Sequence, residues 1–285
     1  VIYCTVILMK KKVVVITGPT AVGKSDFAVE YAIKNNGEVI SADSRQVYKG
    51  MDIGTGKITI DEMKGIPHHL LDVVEPNESF NVEKYKILAQ KAIDNITSRG
   101  KLPIVCGGTG FYVDALIYNI SYPHVEHDIK LREELSKMNT DELFNTLKKY
   151  DHKYAEGLNN SEKNNTQRLI RSIEIAKEVG KMPELIKNES PYDVDWINLS
   201  LPSEELKERI YKRLIKRLDN GMIEEVENLY KNGLSWEKME EFGLEYRYIS
   251  RFLRKQISKE EMIENLKNEI WHYAKRQILW FKDIK

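Results

Sequence analysis

With 285 residues, 41% of them hydrophobic, the chain is long enough for one globular unit with an elaboration, or for two domains sharing a core. Its 44 basic and 44 acidic side chains cancel, which excludes a protein coated in positive potential and leaves nucleic-acid contact to local basic patches. Two cysteines, Cys4 and Cys106, exclude a disulfide framework and a multi-cysteine zinc site and fit a reducing cytoplasm, and no apolar run approaches the length of a membrane span.

The first eight residues are apolar and precede Met9-Lys-Lys-Lys12, the reverse of the charge order of a secretory leader. They read either as a non-native lead before a natural start at Met9 or as an extension of a sheet edge. Val13-Val-Val-Ile-Thr17 is short, β-branched and apolar, as a buried parallel strand should be. The next stretch, Gly18-Pro-Thr-Ala-Val-Gly-Lys-Ser25, fits G-x-x-x-x-G-K-[ST], and Phe27, Ala28, Tyr31 and Ala32 behind it recur at helical spacing. Strand, glycine-rich loop and helix in that order predict a phosphate cradle built from Gly18, Pro19, Thr20, Ala21, Val22, Gly23, Lys24 and Ser25. Lys24 is expected to reach the outer phosphate and the Ser25 hydroxyl to hold a Mg²⁺ ion. The pattern predicts a bound di- or triphosphate and is silent on which compound.

Gly37-Glu-Val-Ile-Ser-Ala42 reads as a second short strand, ending in the polar cluster Asp43-Ser-Arg-Gln46, where open α/β sheets make their ligand contacts. Met51-Asp-Ile-Gly-Thr-Gly-Lys57 is a loop, and His69-Leu-Leu-Asp-Val-Val74 reads as another strand. Residues 81–98 are helical in period; Leu102-Pro-Ile-Val-Cys106 is a further buried strand, stopped by Gly107-Gly-Thr-Gly110 before a helix over 111–117. Strands alternating with helices predict an α/β fold: a parallel P-loop sheet flanked by helices, with a helical insertion and a helical C-terminal region. The expected divisions are a catalytic core over 1–118, an insertion over 119–192 and a return to the core over 193–285.

The insertion is polar and helical in pattern. Within it Gln167, Arg168 and Arg171 gather near a helix start; a solvated basic face would look the same. Asp195-Trp-Ile-Asn-Leu-Ser-Leu201 reads as the sheet resuming, and Ser203 as the cap of a heavily basic helix carrying Arg209 and Arg213. Between Tyr246 and Lys259 lie Arg247, Arg251, Arg254 and Lys255 with interleaved aromatics, which suits an RNA surface or a helix with one wet basic face and one buried aromatic face. The last helix opens with the capping box Ser258-x-x-Glu261, and its apolar stripe reads as a docking face against the sheet.

Several of these blocks together resemble the tRNA dimethylallyltransferases: the phosphate loop, Asp43-Ser-Arg-Gln-Val-Tyr-Lys-Gly-Met-Asp-Ile-Gly-Thr55, Pro67-His-His-Leu-Leu-Asp72 and Gly107-Gly-Thr-Gly-Phe-Tyr112. Gln167-Arg-Leu-Ile-Arg171, Arg209-Ile-x-x-Arg213 and Tyr273-Ala-Lys-Arg-Gln277 extend the resemblance to nearly the whole chain. It implies transfer of a dimethylallyl group from its diphosphate to the exocyclic amine of the adenosine beside the tRNA anticodon, with Mg²⁺ and release of pyrophosphate. Lys24, Arg213 and a metal at Ser25 would then stabilise the leaving group, Asp43 would act as base, and Thr109 would contact the reacting region. Asp43, Ser44, Arg45, Gln46, Thr109, Gln167, Arg168 and Arg171 match positions that touch tRNA. The chain departs from the family pattern at Gly243-Leu-Glu-Tyr-Arg247, where Tyr246 and Arg247 would substitute in a shifted register, and at Ile270-Trp271. The expected partners are a tRNA anticodon stem-loop and dimethylallyl diphosphate, with no membrane and no protein partner; the expected location is the cytoplasm. Three other readings stand beside this one: a nucleotide kinase, an isopentenyltransferase acting on free AMP or ADP, and a non-catalytic RNA-binding P-loop protein.

Overall fold

The computed structural model describes residues 10–284, so the apolar lead of residues 1–8, with Cys4, lies outside the described residues. In chain order, β1 (Lys11–Thr17), α1 (Lys24–Asn35), β2 (Gly37–Ser41), α2 (Ile60–Met63), β3 (His68–His69), α3 (Val82–Ser98), β4 (Leu102–Cys106) and α4 (Gly110–Ile117) come first. Five helices follow: α5 (Ile129–Leu135), α6 (Thr140–Tyr150), α7 (His152–Gly157), α8 (Asn160–Lys163) and α9 (Thr166–Val179). β5 (Tyr192–Asn198) returns to the sheet before α10 (Ser203–Asp219), α11 (Met222–Lys231), α12 (Trp236–Phe242), α13 (Leu244–Leu253) and α14 (Lys259–Trp280). Among the described residues no helix is long and apolar enough to cross a membrane.

The five strands form one sheet in the order β3-β2-β4-β1-β5, every pairing parallel. Its strands are apolar on both faces because both are covered. Val14, Ile16, Val39 and Ile104 pack with Ala28 and Ala32 of α1. Their neighbours Val13, Val15, Ile40 and Val105 pack with Tyr85, Ala89, Ile93 and Ile96 of α3 and Val113 and Leu116 of α4. A further core joins α10–α14 through Leu206, Ile210, Met222, Val226, Phe242, Ile249 and Leu266, and takes in Val47, Tyr48 and Met51 from the segment after β2.

The chain divides into two compact units, Ile120–Lys187 and the remainder. The smaller unit has its own core of Leu135, Leu143, Leu147, Leu169, Ile173 and Ala176. Beside that core Glu174, whose side chain is 1% exposed, receives a two-pronged contact from Arg132 (Nε 2.6 Å, Nη2 2.9 Å) and a third from Arg171 (3.1 Å). Burial raises the Glu174 pKa, but the two arginines overcome it and hold the carboxyl below its ordinary range.

Three local expectations need correction. The strand read over 69–74 is only His68–His69, since Leu70 (φ 64°) and Asp72 (φ 54°) are left-handed and turn the chain out of the sheet; Val74 makes a lone bridge to Tyr48. The returning strand runs Tyr192–Asn198, not 195–201. It is an edge strand, so Asp193 and Asp195 are tolerated on it, and Lys12 of β1 pairs with Asp195 at 2.9 Å. Ser203 is the first residue of α10 and not its cap; Pro202 holds the cap position and contributes no side-chain bond. The capping box at Ser258 and Glu261 forms as the spacing predicts.

Among the described residues one charged side chain is buried in the sheet. Glu38 of β2 is 1% exposed and receives Arg99 (Nη2 2.7 Å), Lys101 (2.8 Å) and His69 (2.8 Å). Arg99 does most to hold its carboxyl well below the ordinary range, against burial and with help from Lys101 and His69. A depressed folded-state pKa makes this contribution complete above the unfolded carboxyl's pKa, and it is lost as pH falls toward the folded value. Glu38→Gln should lower the melting temperature at pH 7 by about 5 °C. In thermal melts across pH, the gap from the unmodified chain should close below about pH 4.

Candidate active site

Where β1 ends, Gly18 takes φ 139°, and a Cβ there would run into the Leu199 carbonyl, so only glycine lets the chain leave the sheet at this angle. Ala21 (φ 64°) and Gly23 (φ 98°) complete the turn, and Gly23 caps α1 without a side-chain hydrogen bond. The first N–H groups of α1 are thus left to an outside acceptor, with the positive end of the helix behind them. Lys24 folds back over the loop and its Nζ donates to the Pro19 carbonyl at 2.8 Å, while Ser25 lies exposed at the rim.

Arg213 reaches the same loop from α10, donating to the Thr20 hydroxyl. Burial pushes the Lys24 ammonium down to about 8; Arg213 adds to that push, and Cys106 and Asp43 oppose it. Burial, then Arg217, pushes the Arg213 guanidinium down to about 9 against Glu245 and Asp43. Two cations held this close with too little opposing charge are a site for an anion. The Cys106 thiol below them is buried and pushed up to about 11, mainly by desolvation, so it behaves as a small apolar filler.

Asp43, just beyond the end of β2, lies within electrostatic range of both cations. Its Oδ1 accepts the backbone N–H groups of Arg45 (2.8 Å) and Gln46 (3.3 Å), a local turn that fixes the carboxylate. Among the described residues Oδ2 takes no hydrogen bond. Thr109, three residues beyond β4 at the cap position of α4, accepts the Ser44 N–H at 3.1 Å and lies beside Tyr273 of α14. The sheet therefore brings Lys24, Asp43 and Thr109 to one edge, and α10 adds Arg213.

The residues expected at RNA meet different fates. Gln167 and Arg168 are exposed on the first turn of α9, Arg168 pairing with Glu162 at 2.8 Å. Arg171 is engaged internally, donating to the Val125 carbonyl at 2.7 Å as well as to Glu174. Arg45 donates to the Phe242 carbonyl at 3.0 Å and lies over that ring, and Gln46 bridges the Ser41 hydroxyl (3.1 Å) and the Gly56 carbonyl (3.3 Å). Tyr246 is not at the surface: it is 2% exposed, and its hydroxyl donates to Glu225 at 2.9 Å. The same carboxylate caps the N–H groups of Asp52 (2.9 Å), Ile53 (2.6 Å) and Gly54 (3.0 Å), so Tyr246 belongs to the support of that loop. Arg247 donates to the Glu240 carbonyl (3.1 and 2.9 Å), and Arg251 grips the Glu240 carboxylate with both Nε and Nη2 at 2.8 Å. Arg254 is exposed.

Three site residues were given no role by the reading of the sequence, although Tyr273 and Gln277 bracket one of its family blocks. Gln277 accepts the Thr20 N–H at 2.7 Å and donates to the Gly108 carbonyl at 2.9 Å. Tyr273 stands one turn before it. Arg217, four residues after Arg213, donates to the Gly54 carbonyl at 3.2 Å and pairs with Glu245 at 3.4 Å. The signals were a polar Gln277 on an apolar stripe and the four-residue spacing of the arginines, which puts both on one helix face.

Among the described residues no cluster of three or more His, Cys, Asp or Glu side chains could hold a metal. The Thr20 hydroxyl is taken by Arg213, which leaves the exposed Ser25 hydroxyl and the Asp43 carboxylate as oxygen donors near the loop among the described residues. That donor set suits a Mg²⁺ ion that keeps several waters and takes its remaining oxygens from a diphosphate.

Sheet order and loop geometry define a parallel α/β protein with a glycine-rich loop between its first strand and first helix. The model of the IPP transferase family matches residues 46–284, and the chain belongs to that family. It is 42% identical over 96% of its length to the tRNA dimethylallyltransferase of Anoxybacillus flavithermus, covering 88% of that protein. It is likewise 42% identical to that of Acetivibrio thermocellus, with 96% of this chain and 89% of that protein covered. The full-length tRNA isopentenylpyrophosphate transferase from Bacillus halodurans matches with a TM-score of 0.71 at 39% identity, over 96% of this chain and 88% of that one. A eukaryotic dimethylallyltransferase acting on tRNA matches with a TM-score of 0.78 at 33% identity, over 96% of this chain and 70% of that one.

Because the Lys24 pKa is lowered to about 8 without ligand, the charged form prevails below that pH and is lost above it. Pyrophosphate binding, followed by titration calorimetry, should weaken as pH rises past about 8, by up to about tenfold per unit. Lys24→Ala should bind more weakly throughout and lack that fall.

Proposed function

We propose that this chain transfers a dimethylallyl group from dimethylallyl diphosphate to the exocyclic amine of the adenosine 3′-adjacent to the anticodon in tRNA, releasing pyrophosphate. Family membership and the names of its relatives support the reaction class. The observation that carries the mechanism is the convergence of Lys24, Arg213 and Asp43 on one sheet edge.

The bond between the prenyl C1 and the diphosphate oxygen breaks as the adenine nitrogen bonds to C1. Negative charge grows on the departing pyrophosphate, where Lys24, Arg213 and the N–H groups opening α1 meet it; partly buried cations act more strongly there than in water. Lys24 exchanges the Pro19 carbonyl for a phosphate oxygen. A Mg²⁺ ion held by Ser25 and the diphosphate would supply further charge neutralisation. The amine must shed a proton, and Asp43 Oδ2, the oxygen left uncommitted by the local turn, receives it. Thr109 steadies the Asp43–Ser44 segment by accepting the Ser44 N–H.

The adenosine has to leave the anticodon stack to reach this edge. Exposed Gln167 and Arg168 serve RNA contact in the smaller unit, and Arg254 with its exposed neighbours Lys255 and Lys259 does so in the larger one. A cytoplasmic setting agrees with the buried, unpaired Cys106. A kinase reading is disfavoured because β4 runs into Gly107 and Gly108 and offers no carboxylate for a metal.

Lys24→Ala and Arg213→Ala should each cut turnover by about 10²-fold or more at saturating substrates, with the fold intact by circular dichroism. Asp43→Asn should lower turnover comparably while diphosphate binding survives; lost binding restored by added Mg²⁺ would make Asp43 a metal residue instead. Product is read as labelled dimethylallyl transferred to tRNA, with AMP as the competing acceptor and ATP neither needed nor hydrolysed.

Salt dependence separates the cations on the RNA face. Arg254→Ala should reduce the slope of log affinity against log salt for an anticodon stem-loop by something under about one unit. Arg251→Ala should change it little, because Glu240 already neutralises that guanidinium. Gln167→Ala should lower turnover with the slope unchanged.

A further inference from the structure

We propose that Gln277 is a positioning residue for group transfer, fixing the phosphate loop against the segment that holds Thr109 and Asp43. The proposal rests on Gly18–Ser25 being the diphosphate cradle. Gln277 is 5% exposed and sits on the buried stripe of α14 formed by Met262, Leu266, Ile270 and Ala274, where an apolar residue would pack as well. A buried amide is stable there only if both ends are satisfied. Here neither end is satisfied by its own helix. Oε1 takes the N–H of Thr20, whose hydroxyl meanwhile takes the Arg213 hydrogen bond, so one residue of the loop is held at its backbone by Gln277 and at its side chain by Arg213. Nε2 donates to the carbonyl of Gly108, next to Thr109, and Thr109 binds the N–H of Ser44 beside Asp43. One amide thus ties the side that carries the leaving group to the side that carries the base. Tyr273, one turn earlier, lies beside Thr109.

Gly108 provides an independent handle. Its φ is not positive, so alanine suits the backbone, but the added Cβ would overlap the Gln277 side-chain nitrogen and displace it. If the tie sets the relative position of the two reacting groups, its loss should fall chiefly on kcat.

The test is steady-state kinetics with dimethylallyl diphosphate and tRNA on Gln277→Met, Gln277→Ala, Gly108→Ala and the Gly108→Ala/Gln277→Ala pair, each with its Tm. Gln277→Met keeps the packing but leaves the Thr20 N–H and the Gly108 carbonyl unpaired, so its Tm should fall by a few degrees while kcat, measured well below that Tm, falls on the order of 10- to 100-fold and the KM for tRNA holds within about twofold. Gly108→Ala should match it, and the pair should be no slower than Gln277→Ala, because the amide that Gly108→Ala displaces is already gone. A kcat for Gln277→Met within about twofold of the unmodified enzyme overturns the proposal, as do losses that simply multiply in the pair. A Tm drop whose kcat deficit vanishes at lower temperature makes Gln277 merely structural and overturns it too. Lys24→Ala run alongside separates the two readings: if it stays active, the cradle assignment fails; if it is inactive while Gln277→Met is normal, only the positioning role fails.

Discussion

All five strands run the same way, and most of the site follows from that constraint. Parallel strands must be joined by crossovers, so each connection leaves from one edge of the sheet and returns at the other. The ends of β1, β2 and β4 lie side by side because β4 separates β2 from β1 in the sheet. The phosphate loop, Asp43 and Thr109 are therefore neighbours by topology before any side chain is considered. Cα register then sets their heights: Ile16 opposes Cys106, and Cys106 opposes Ser41.

Onto that edge the fold brings more positive charge than it neutralises. Lys24 and Arg213 are desolvated and repel one another, while Asp43 and Glu245 return only part of the cost. Glu245 is itself buried and its pKa is raised by desolvation, with Arg217 pulling the other way. A diphosphate bound at this edge, as proposed, would offset that desolvation and repulsion. For the proposed group transfer such preorganisation matters, because charges already held beside the loop need not reorganise during the reaction.

Elsewhere charge is matched, in keeping with the zero net charge. The basic face of α10 is largely answered from its own helix: Lys207 with Glu204 (2.8 Å), Arg209 with Glu205 (2.9 Å), Lys212 with Glu208 (2.6 Å). Such exposed pairs add little stability, but they remove those cations from any strong patch for RNA. The unit Ile120–Lys187 likewise turns Arg132 and Arg171 inward onto Glu174, leaving Gln167 and Arg168 at its surface.

Local pattern was enough for the parallel α/β class, the glycine-rich loop with its flanking strand and helix, most helices and the Ser258 capping box, because each depends on residues within a few positions of one another. Family blocks pointed to Asp43, Thr109 and Arg213. Pattern failed where distant segments decide. Tyr246 looked like an RNA-facing aromatic, yet it is buried by Glu225 and the loop at Gly54, partners that no periodicity within α13 could announce. Arg251 looked like a free cation until Glu240 from α12 met it. Gln277 and Thr20 are 257 residues apart. Sequence by itself determined which residues could do this chemistry. The tertiary structure decided which of them are still available, because a hydrogen bond made across the fold removes a donor or a charge that the sequence still counts as free.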